Sequence, residues 1–217
     1  MCGISGFITN KINNEDEFIE TIKSMNRSLA HRGPDFTSFW LDYRKGICIG
    51  HNRLSIQDLS SAGNQPMISD NKRFILSYNG EIYNYKELKS ILVSKGFKFK
   101  TTCDTELFLK AFIHWGVECF NKFNGMFAAA IYDKKRNKIF LARDIAGEKP
   151  LYFYKKNKNF AFASEAKAFY KNFDISKNSK REFFDSFQHC LSETLWKEVF
   201  SLPPASFLCF NLSNFTY

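Results

Sequence analysis

Short apolar runs, most of them long enough for a single β-strand, alternate with polar segments along the chain. Some of these runs are paired around polar turns, residues 126–132 with 138–142 and residues 152–154 with 160–162, and each pair predicts a β-hairpin. Further strands are predicted at residues 3–9, 37–41, 47–55, 73–78 and 207–210. Because hairpins join antiparallel strands, the pattern favours antiparallel sheets.

Other stretches show apolar residues every three to four positions, which is the spacing of an amphipathic helix. The first covers residues 14–30, and Asn14, Asn84 and Asp104 each stand where a polar side chain can cap the start of a helix. The inward faces are predicted to carry Phe18, Ile19, Ile22, Met25 and Leu29 in the first helix, Leu88, Ile91 and Leu92 in the second, and Leu107, Phe108, Ala111 and Trp115 in the third. Helices interleaved with hairpins indicate an α+β domain.

The length and composition agree with one globular domain and limit its partners. With 217 residues, 44% of them hydrophobic, the chain can bury a core of its own. Its net charge of +9 comes from scattered basic residues without an aromatic-flanked basic motif, so we expect no nucleic-acid partner. The longest apolar stretch, residues 126–132, is too short to cross a bilayer, and we expect no membrane association.

Cysteine usage and the start of the chain bear on the compartment. The six cysteines include no C-x-x-C pair, which argues against a zinc site and against a small disulfide framework. The first residues lack the basic segment and the long apolar run of a secretion signal. We therefore expect a cytoplasmic protein that binds no metal.

Cys2 has a chemical option that an internal cysteine lacks. If Met1 is removed, the thiol and a free α-amine belong to the same residue, with ordinary pKa values of about 8.5 and about 8. The amine can then accept the thiol proton near neutral pH, directly or through one water, without a separate histidine. An isolated cysteine of this kind would more often be a small buried residue, so the interpretation depends on the rest of the chain.

Several segments accompany Cys2 and together form a distinctive pattern. The early ones are Cys2-Gly3-Ile4-Ser5-Gly6, His31-Arg32-Gly33-Pro34-Asp35, Gly50-His51-Asn52-Arg53-Leu54-Ser55-Ile56 and Tyr78-Asn79-Gly80-Glu81-Ile82-Tyr83-Asn84. The later ones are Arg143-Asp144, Gly147-Glu148-Lys149-Pro150-Leu151-Tyr152, Ser164-Glu165-Ala166-Lys167 and Leu202-Pro203-Pro204. With these segments the sequence resembles the class II glutamine amidotransferases, whose glutaminase domain belongs to the N-terminal-nucleophile (Ntn) hydrolases. The resemblance runs over nearly the whole chain and is greatest to the N-terminal domain of the glutamine-hydrolysing asparagine synthetases.

The resemblance implies both a fold and a reaction. The fold would be a four-layer αββα sandwich of two antiparallel sheets flanked by helices. Cys2 would attack the side-chain amide of glutamine, while the Asn79 side chain and the Gly80 backbone N–H form the oxyanion hole. A thioester would form, ammonia would leave and water would release glutamate. The residues implied in substrate binding are Arg53, Leu54, Ser55, Ile56, Gln57, Asn79, Gly80, Glu81 and Asp104.

These implied roles suit the residue types. The guanidinium of Arg53 has the fork geometry that a substrate α-carboxylate needs, and the carboxylate of Asp104 can bind an α-ammonium. Glycine at position 80 is expected to let the backbone come close to the substrate. The segment from His31 to Asp35 is interpreted as support for the site.

The resemblance also implies domain boundaries and partners. Residues 1–211 would form the glutaminase domain, and residues 212–217 a tail or the start of an interdomain linker. The synthetase domain would be absent, because no Ser-Gly-Gly-x-Asp-Ser pyrophosphate loop occurs in the sequence. No cofactor is expected in this chain, since ATP and Mg²⁺ would belong to a separate ATP-dependent synthetase domain or subunit. The expected partners are L-glutamine, that synthetase and, as one option, a second copy in a homodimer.

Two residues depart from the family pattern. Ile145 stands where the family usually has an arginine after Arg143-Asp144, at a position expected to help the domain meet its partner. That change would affect coupling to the synthetase more than hydrolysis. Cys103 replaces a common serine before Asp104, which is a nearly isosteric change.

Three functions remain open at this stage. In the first, the chain makes ammonia for an asparagine-synthetase-type amidation of aspartate. In the second, it is a stand-alone amidotransferase subunit that supplies a different acceptor, such as a sugar or a peptide. In the third, it is a non-catalytic module that binds glutamine, which the presence of the full set of implied catalytic residues disfavours.

A Cys–His hydrolase that uses His31 or His51 as its base is the rival mechanism. The position of Cys2 next to the chain start disfavours it. We predict that Cys2→Ala abolishes glutaminase activity whereas His51→Ala keeps at least part of it, as measured by glutamate release from the processed chain. A folded but inactive His51→Ala variant would contradict the assignment of the α-amine as the base.

Overall fold

Two β-sheets form the centre of the computed structural model, which describes residues 1–10, 14–55, 60–178 and 192–217. The described strands are β1 (Gly3–Thr9), β2 (Phe36–Asp42), β3 (Ile47–Arg53), β4 (Met67–Ile68), β5 (Phe74–Ile82), β6 (Gly125–Asp133), β7 (Lys138–Arg143), β8 (Tyr152–Lys156), β9 (Asn159–Ala163), β10 (Val199–Ser201) and β11 (Phe207–Asn211). The described α-helices are α1 (Glu15–Ser28), α2 (Tyr85–Ser94) and α3 (Asp104–Trp115).

The strands pair in antiparallel fashion throughout the described residues. Sheet A has the order β10-β8-β9-β1-β3-β2, and sheet B has the order β11-β7-β6-β5-β4. Strand β1, which begins directly after Cys2, therefore lies between β9 and β3 inside sheet A. Both hairpins expected from the sequence are present, as β6 with β7 and β8 with β9.

The core consists of three apolar layers. Between the sheets, isoleucines of β1 and β3 pack against Ile75, Ala128, Ala130 and Leu141 of sheet B. Helix α1 buries Phe18, Ile22, Met25 and Leu29 against the outer face of sheet A, whereas α2 and α3 cover the outer face of sheet B. Alternate side chains of each strand thus face the other sheet or the helices, because successive residues of a strand point to opposite sides. The predicted four-layer αββα sandwich is confirmed.

The helix caps agree with the sequence only in part. The side chain of Asn14 accepts a hydrogen bond from the Glu17 N–H at 2.7 Å, which caps α1 as predicted. The prediction for Asn84 is wrong, since its amide bonds the backbone of Lys122 and of Asn124 and makes no cap. The prediction for Asp104 is also wrong: α3 begins at Asp104 itself, and its carboxylate binds groups of β5. In both cases the polar side chain forms hydrogen bonds with groups that are distant in the sequence.

Some details of burial and length also differ from the expectation. Ile91 is 38% exposed, so its predicted inward position is wrong, and Ile19 is only partly buried. The strand predicted at residues 73–78 continues to Ile82 and therefore contains Asn79 and Gly80. Strands β4 and β10 have two and three residues, which is too short for a periodic signal.

The buried carboxylate of Asp144 fixes the loop that follows β7. One of its oxygens accepts hydrogen bonds from the backbone N–H groups of Phe127 at 3.1 Å and of Lys149 at 3.0 Å. The other oxygen accepts from the Glu148 N–H at 2.9 Å. Three backbone donors therefore depend on one side chain that is 1% exposed.

Replacing Asp144 should reveal this dependence as a loss of stability. Asp144→Ala leaves three backbone N–H groups without their acceptor, and we expect unfolding free energy to fall by about 2–4 kcal/mol. Urea unfolding of the purified chain measures the change. Asp174→Ala is the control, because that carboxylate is exposed and pairs with Lys156 at the surface, and it should have a much smaller effect. Equal losses in the two variants would contradict the structural role of Asp144.

Candidate active site

A pocket opens where the start of β1, the end of β3, the second half of β5 and the start of α3 meet. Most residues that the sequence analysis implicated line this pocket, namely Cys2, Arg53, Leu54, Ser55, Asn79, Gly80, Glu81 and Asp104. Ile56 and Gln57 lie outside the described residues. The structure thus brings together residues from chain segments about a hundred positions apart.

Cys2 is held at the pocket by its backbone and by its thiol. Its carbonyl oxygen accepts a hydrogen bond from Arg32 Nε at 3.0 Å. Its Sγ lies 3.4 Å from the Leu54 nitrogen, whose N–H donates to the sulfur, and 3.7 Å from the Leu54 oxygen. Burial raises the pKa of the thiol, so the sulfur stays protonated near neutral pH unless a base removes the proton.

Asn79 presents an amide donor with no acceptor. The residue is only 3% exposed, and within the described part of the chain its Nδ2 has no hydrogen-bond partner. A buried donor without a partner costs free energy, so native structures rarely contain one that a ligand, an ion or a water does not complete. Asn79 Nδ2 is therefore the clearest sign of a binding function in this pocket.

The backbone N–H of Gly80 faces the edge of β5 that points away from β6. The N–H groups of Tyr78 and Ile82, two residues to either side, bind Gln65 Oε1 at 2.6 Å and Asp104 Oδ2 at 3.2 Å. Since the N–H groups of alternate strand residues point to the same edge, the Gly80 N–H lies between these two bonded groups. The strand thus carries a backbone donor beside the amide donor of Asn79.

Glycine at position 80 is required by the neighbouring strand. A Cβ atom there would lie 2.3 Å from the Met126 oxygen and 2.7 Å from the Phe127 Cα, both in β6. The structure therefore gives a packing reason for this glycine in addition to the close substrate approach expected from the sequence, which stays a prediction. Any residue with a Cβ atom at this position would push β6 away from β5.

Arg53 is buried, and the loop at residues 60–64 contacts its guanidinium. Its Nη1 donates to the Ser60 oxygen and to Asn64 Oδ1, both at 2.7 Å. Gly63 packs directly on the side chain, since a Cβ there would come within 2.5 Å of Nη2. These contacts fix the orientation of the cation at one side of the pocket.

Asp104 provides the opposite charge. Its Oδ2 accepts from the Tyr78 hydroxyl at 2.8 Å and from the Ile82 N–H at 3.2 Å. Burial and the nearby Glu81 raise the pKa of this carboxyl, while the two hydrogen bonds favour its ionised form. A cation and an anion therefore lie in one pocket with the thiol.

Supporting residues were missed by the sequence analysis. Gln65 bridges the Tyr78 N–H and the Thr105 hydroxyl, which joins β5 to the start of α3. Lys149 is 7% exposed and lines the pocket, where its Nζ lies 3.4 Å from Met1 Sδ. Lys149 stands in one of the segments that carry the family resemblance, but glutamine and lysine are too common for their type alone to indicate a role.

The two histidines considered as rival bases, His31 and His51, lie outside the pocket. Neither is among the described residues that line it. His51 is fully buried, and its Nε2 donates to the Tyr78 carbonyl at 3.1 Å, which ties sheet A to sheet B. Burial lowers the pKa of His51 to about 4. His31 is exposed and contacts Glu165 at 2.9 Å.

Over residues 1–10, 14–55, 60–178 and 192–217, no cluster of three or more His, Cys, Asp or Glu side chains could hold a metal ion. In the same part of the chain, no helix combines the length and the apolar character needed to cross a bilayer.

The fold is shared with a known amidotransferase. The glutamine phosphoribosylpyrophosphate amidotransferase of Bacillus subtilis, in its complex with ADP and GMP, superposes with a TM-score of 0.70. The alignment covers 97% of this chain and 47% of that one at 19% identity, so it establishes the fold alone. The class defined by the two antiparallel sheets and their flanking helices is the Ntn-hydrolase amidotransferase fold.

Sequence comparison gives the family. The family model described as "Glutamine amidotransferase domain" matches residues 1–216, and the chain belongs to that family. It is 38% identical to "Asparagine synthetase [glutamine-hydrolyzing] 3" of Bacillus subtilis over 83% of this chain and 29% of that protein. It is 36% identical to "Putative asparagine synthetase [glutamine-hydrolyzing] 2" of Methanocaldococcus jannaschii over 99% of this chain and 45% of that protein. The chain thus spans less than half the length of these relatives.

The buried His51 predicts a specific pH dependence of stability. Its pKa is about 4 in the folded chain and about 6.5 when exposed, so the unfolded state binds more protons between these values. Unfolding free energy should therefore fall as pH drops from 6.5 towards 4, by roughly 3 kcal/mol at most from this residue. His51→Gln removes the titrating group, and urea unfolding at several pH values should show a smaller pH dependence. Identical slopes in the two proteins would contradict a buried, neutral His51.

Proposed function

We propose that this chain hydrolyses L-glutamine to glutamate and ammonia through a thioester on Cys2 once Met1 has been removed. The observation that carries the proposal is the buried Nδ2 of Asn79, which lies in the same pocket as the thiol and has no hydrogen-bond partner among the described residues. Together with the Gly80 N–H it forms a pair of donors where an oxyanion would develop. Such donors have no structural acceptor because their partner exists only during the reaction.

The pocket charges fit the head group of an amino acid. Arg53 would bind the α-carboxylate, since its guanidinium is already oriented by Ser60 and Asn64. Asp104 would bind the α-ammonium, with Glu81 and the backbone of Leu54 and Ser55 completing the pocket. Ile56 and Gln57 belong to this proposal on the strength of the family resemblance.

The bond-making and proton-transfer steps of the proposed reaction use groups of Cys2 and the donor pair. The free α-amine takes the thiol proton, and the thiolate attacks the carboxamide carbon of glutamine. The resulting oxyanion is stabilised by Asn79 and Gly80, and collapse of the intermediate expels ammonia, which receives the proton from the amine. The same amine then activates a water that attacks the thioester, which releases glutamate and restores the thiol.

We further propose that the ammonia serves an asparagine-synthetase-type amidation of aspartate. The two relatives named above, from Bacillus subtilis and Methanocaldococcus jannaschii, bear that name, and each is more than twice as long as the part that matches this chain. The acceptor reaction, with its ATP and Mg²⁺, would belong to a synthetase domain or subunit outside these residues, and we propose no cofactor for the chain itself. Ile145, 75% exposed, is the residue at which such coupling would differ from the family pattern.

Asn79→Ala tests the proposal. Loss of one oxyanion donor should lower kcat by about 10²–10³, whereas KM should change little because the head-group contacts remain. Glutamate release from glutamine measures both constants, and an intact-mass measurement first verifies that Met1 has been removed from each protein.

Asn121→Ala is the matched control. That asparagine is exposed, its amide donates to Glu118 Oε2 at 3.4 Å, and the variant should keep wild-type kinetics. Equal kcat in Asn79→Ala and wild type would overturn the role of the amide donor. If the processed wild-type chain binds glutamine in calorimetry but releases no glutamate, the chain is a binding module and the proposed reaction is wrong.

A further inference from the structure

Lys149 brings a buried positive charge to the pocket that the proposed reaction does not use. The residue is 7% exposed, and the described contact of its Nζ is with Met1 Sδ at 3.4 Å. A thioether is a weak acceptor and offers no charge to balance an ammonium group. Buried lysines are normally paired, so this arrangement indicates a function other than packing.

The surrounding loop is built to hold this lysine in place. Its backbone N–H donates to Asp144, as described above, and its carbonyl accepts from Arg143 Nε at 2.9 Å. Arg143 Nη2 also binds the Gly147 oxygen at 2.6 Å, and Gly147 has a φ of +69°, a conformation that favours glycine. Two charged side chains therefore fix both backbone groups of Lys149.

The ammonium lies close to the place where the mature chain would begin. Met1 and Cys2 line the same pocket as Lys149. Because Met1 Sδ is separated from the Cys2 nitrogen by the length of one side chain, Lys149 Nζ lies within about 10 Å of that nitrogen. Removal of Met1 would take away the thioether contact and convert the Cys2 nitrogen into a free α-amine.

We propose that Lys149 keeps the α-amine of processed Cys2 neutral, and thus able to act as a base, by placing a second positive charge near it. The inference rests on the proposed function, which uses this amine as the base. A like charge disfavours the protonated form of a neighbouring amine. At an effective dielectric constant of about 20 and a separation of at most about 10 Å, this charge would lower the amine pKa by about one unit or more.

Other charged groups also face Cys2, and they do not replace Lys149. Arg32 binds the Cys2 carbonyl, but its own charge is balanced by Glu165 at 2.9 Å. Arg53, at the end of β3, adds positive charge, whereas Asp104 on α3 and Glu81 on β5 add negative charge. The two carboxylates favour a protonated amine, and Lys149 opposes them from the loop after β7.

The test is a titration of the amine itself. Processed chain labelled with ¹³C and ¹⁵N cysteine reports the α-amine pKa through the shifts of Cys2 in NMR spectra recorded over pH. We expect this pKa to rise by about one unit or more in Lys149→Met, and to stay near the wild-type value in Lys149→Arg. The acid limb of kcat/KM for glutamine should move to higher pH by the same amount, with about a tenfold loss of activity near neutral pH.

Controls separate this role from structural effects and from substrate binding. Lys158→Met removes an exposed lysine from the β8–β9 turn and should leave the amine pKa unchanged. If Lys149→Met does not fold, Lys149→Gln provides a second neutral variant. An unchanged amine pKa in a folded neutral variant would overturn the inference, as would a higher KM without a shift of the pH profile. Because the titration requires no turnover, it decides the role of Lys149 even if the chain does not hydrolyse glutamine.

Discussion

The candidate site depends on one constraint, the open edge of β5. Strand β4 pairs only with Ile75 and Leu76, so the second half of β5 has no neighbouring strand on that side among the described residues. Its backbone N–H groups still need acceptors, because buried donors are costly when unpaired. Gln65 satisfies Tyr78 and Asp104 satisfies Ile82, which leaves the Gly80 N–H between them facing the pocket. The missing strand partner thus leaves a backbone donor at the pocket, where we propose that a substrate oxygen binds.

The same edge explains why the fold and the site were predictable to different degrees. Alternating apolar residues predicted most strands, because one face of each sheet packs on the other sheet and the opposite face on the helices. Local signals failed at Asp104 and Asn84, whose side chains looked like helix caps. Each instead satisfies groups outside its own helix, and a partner 20 to 40 positions away leaves no trace in local spacing.

Candidate site residues could be predicted from the sequence where the residue type is unusual for its position or belongs to a family pattern. Cys2 stood out by its place at the chain start, and Arg53, Asn79 and Asp104 stood out through a family pattern. Gln65 could not be recognised in this way, because a glutamine is informative only once its two partners are known. The sequence could not show where the rival bases His31 and His51 lie relative to the thiol. The three-dimensional structure places neither of them at the pocket.

The electrostatic design of the pocket follows from its burial. Burial raises the pKa of the Cys2 thiol, which makes the proposed nucleophile harder to ionise and means that its proposed base has to be stronger. A protonated α-amine could not meet that demand, so the charges around the amine matter as much as those around the sulfur. The loop after β7 runs from the pocket to the protein surface. Its Asp144 holds the buried Lys149, whereas Ile145, the residue after Asp144, is 75% exposed. A partner that covers Ile145 would therefore contact the same rigid loop that sets the position of the buried ammonium.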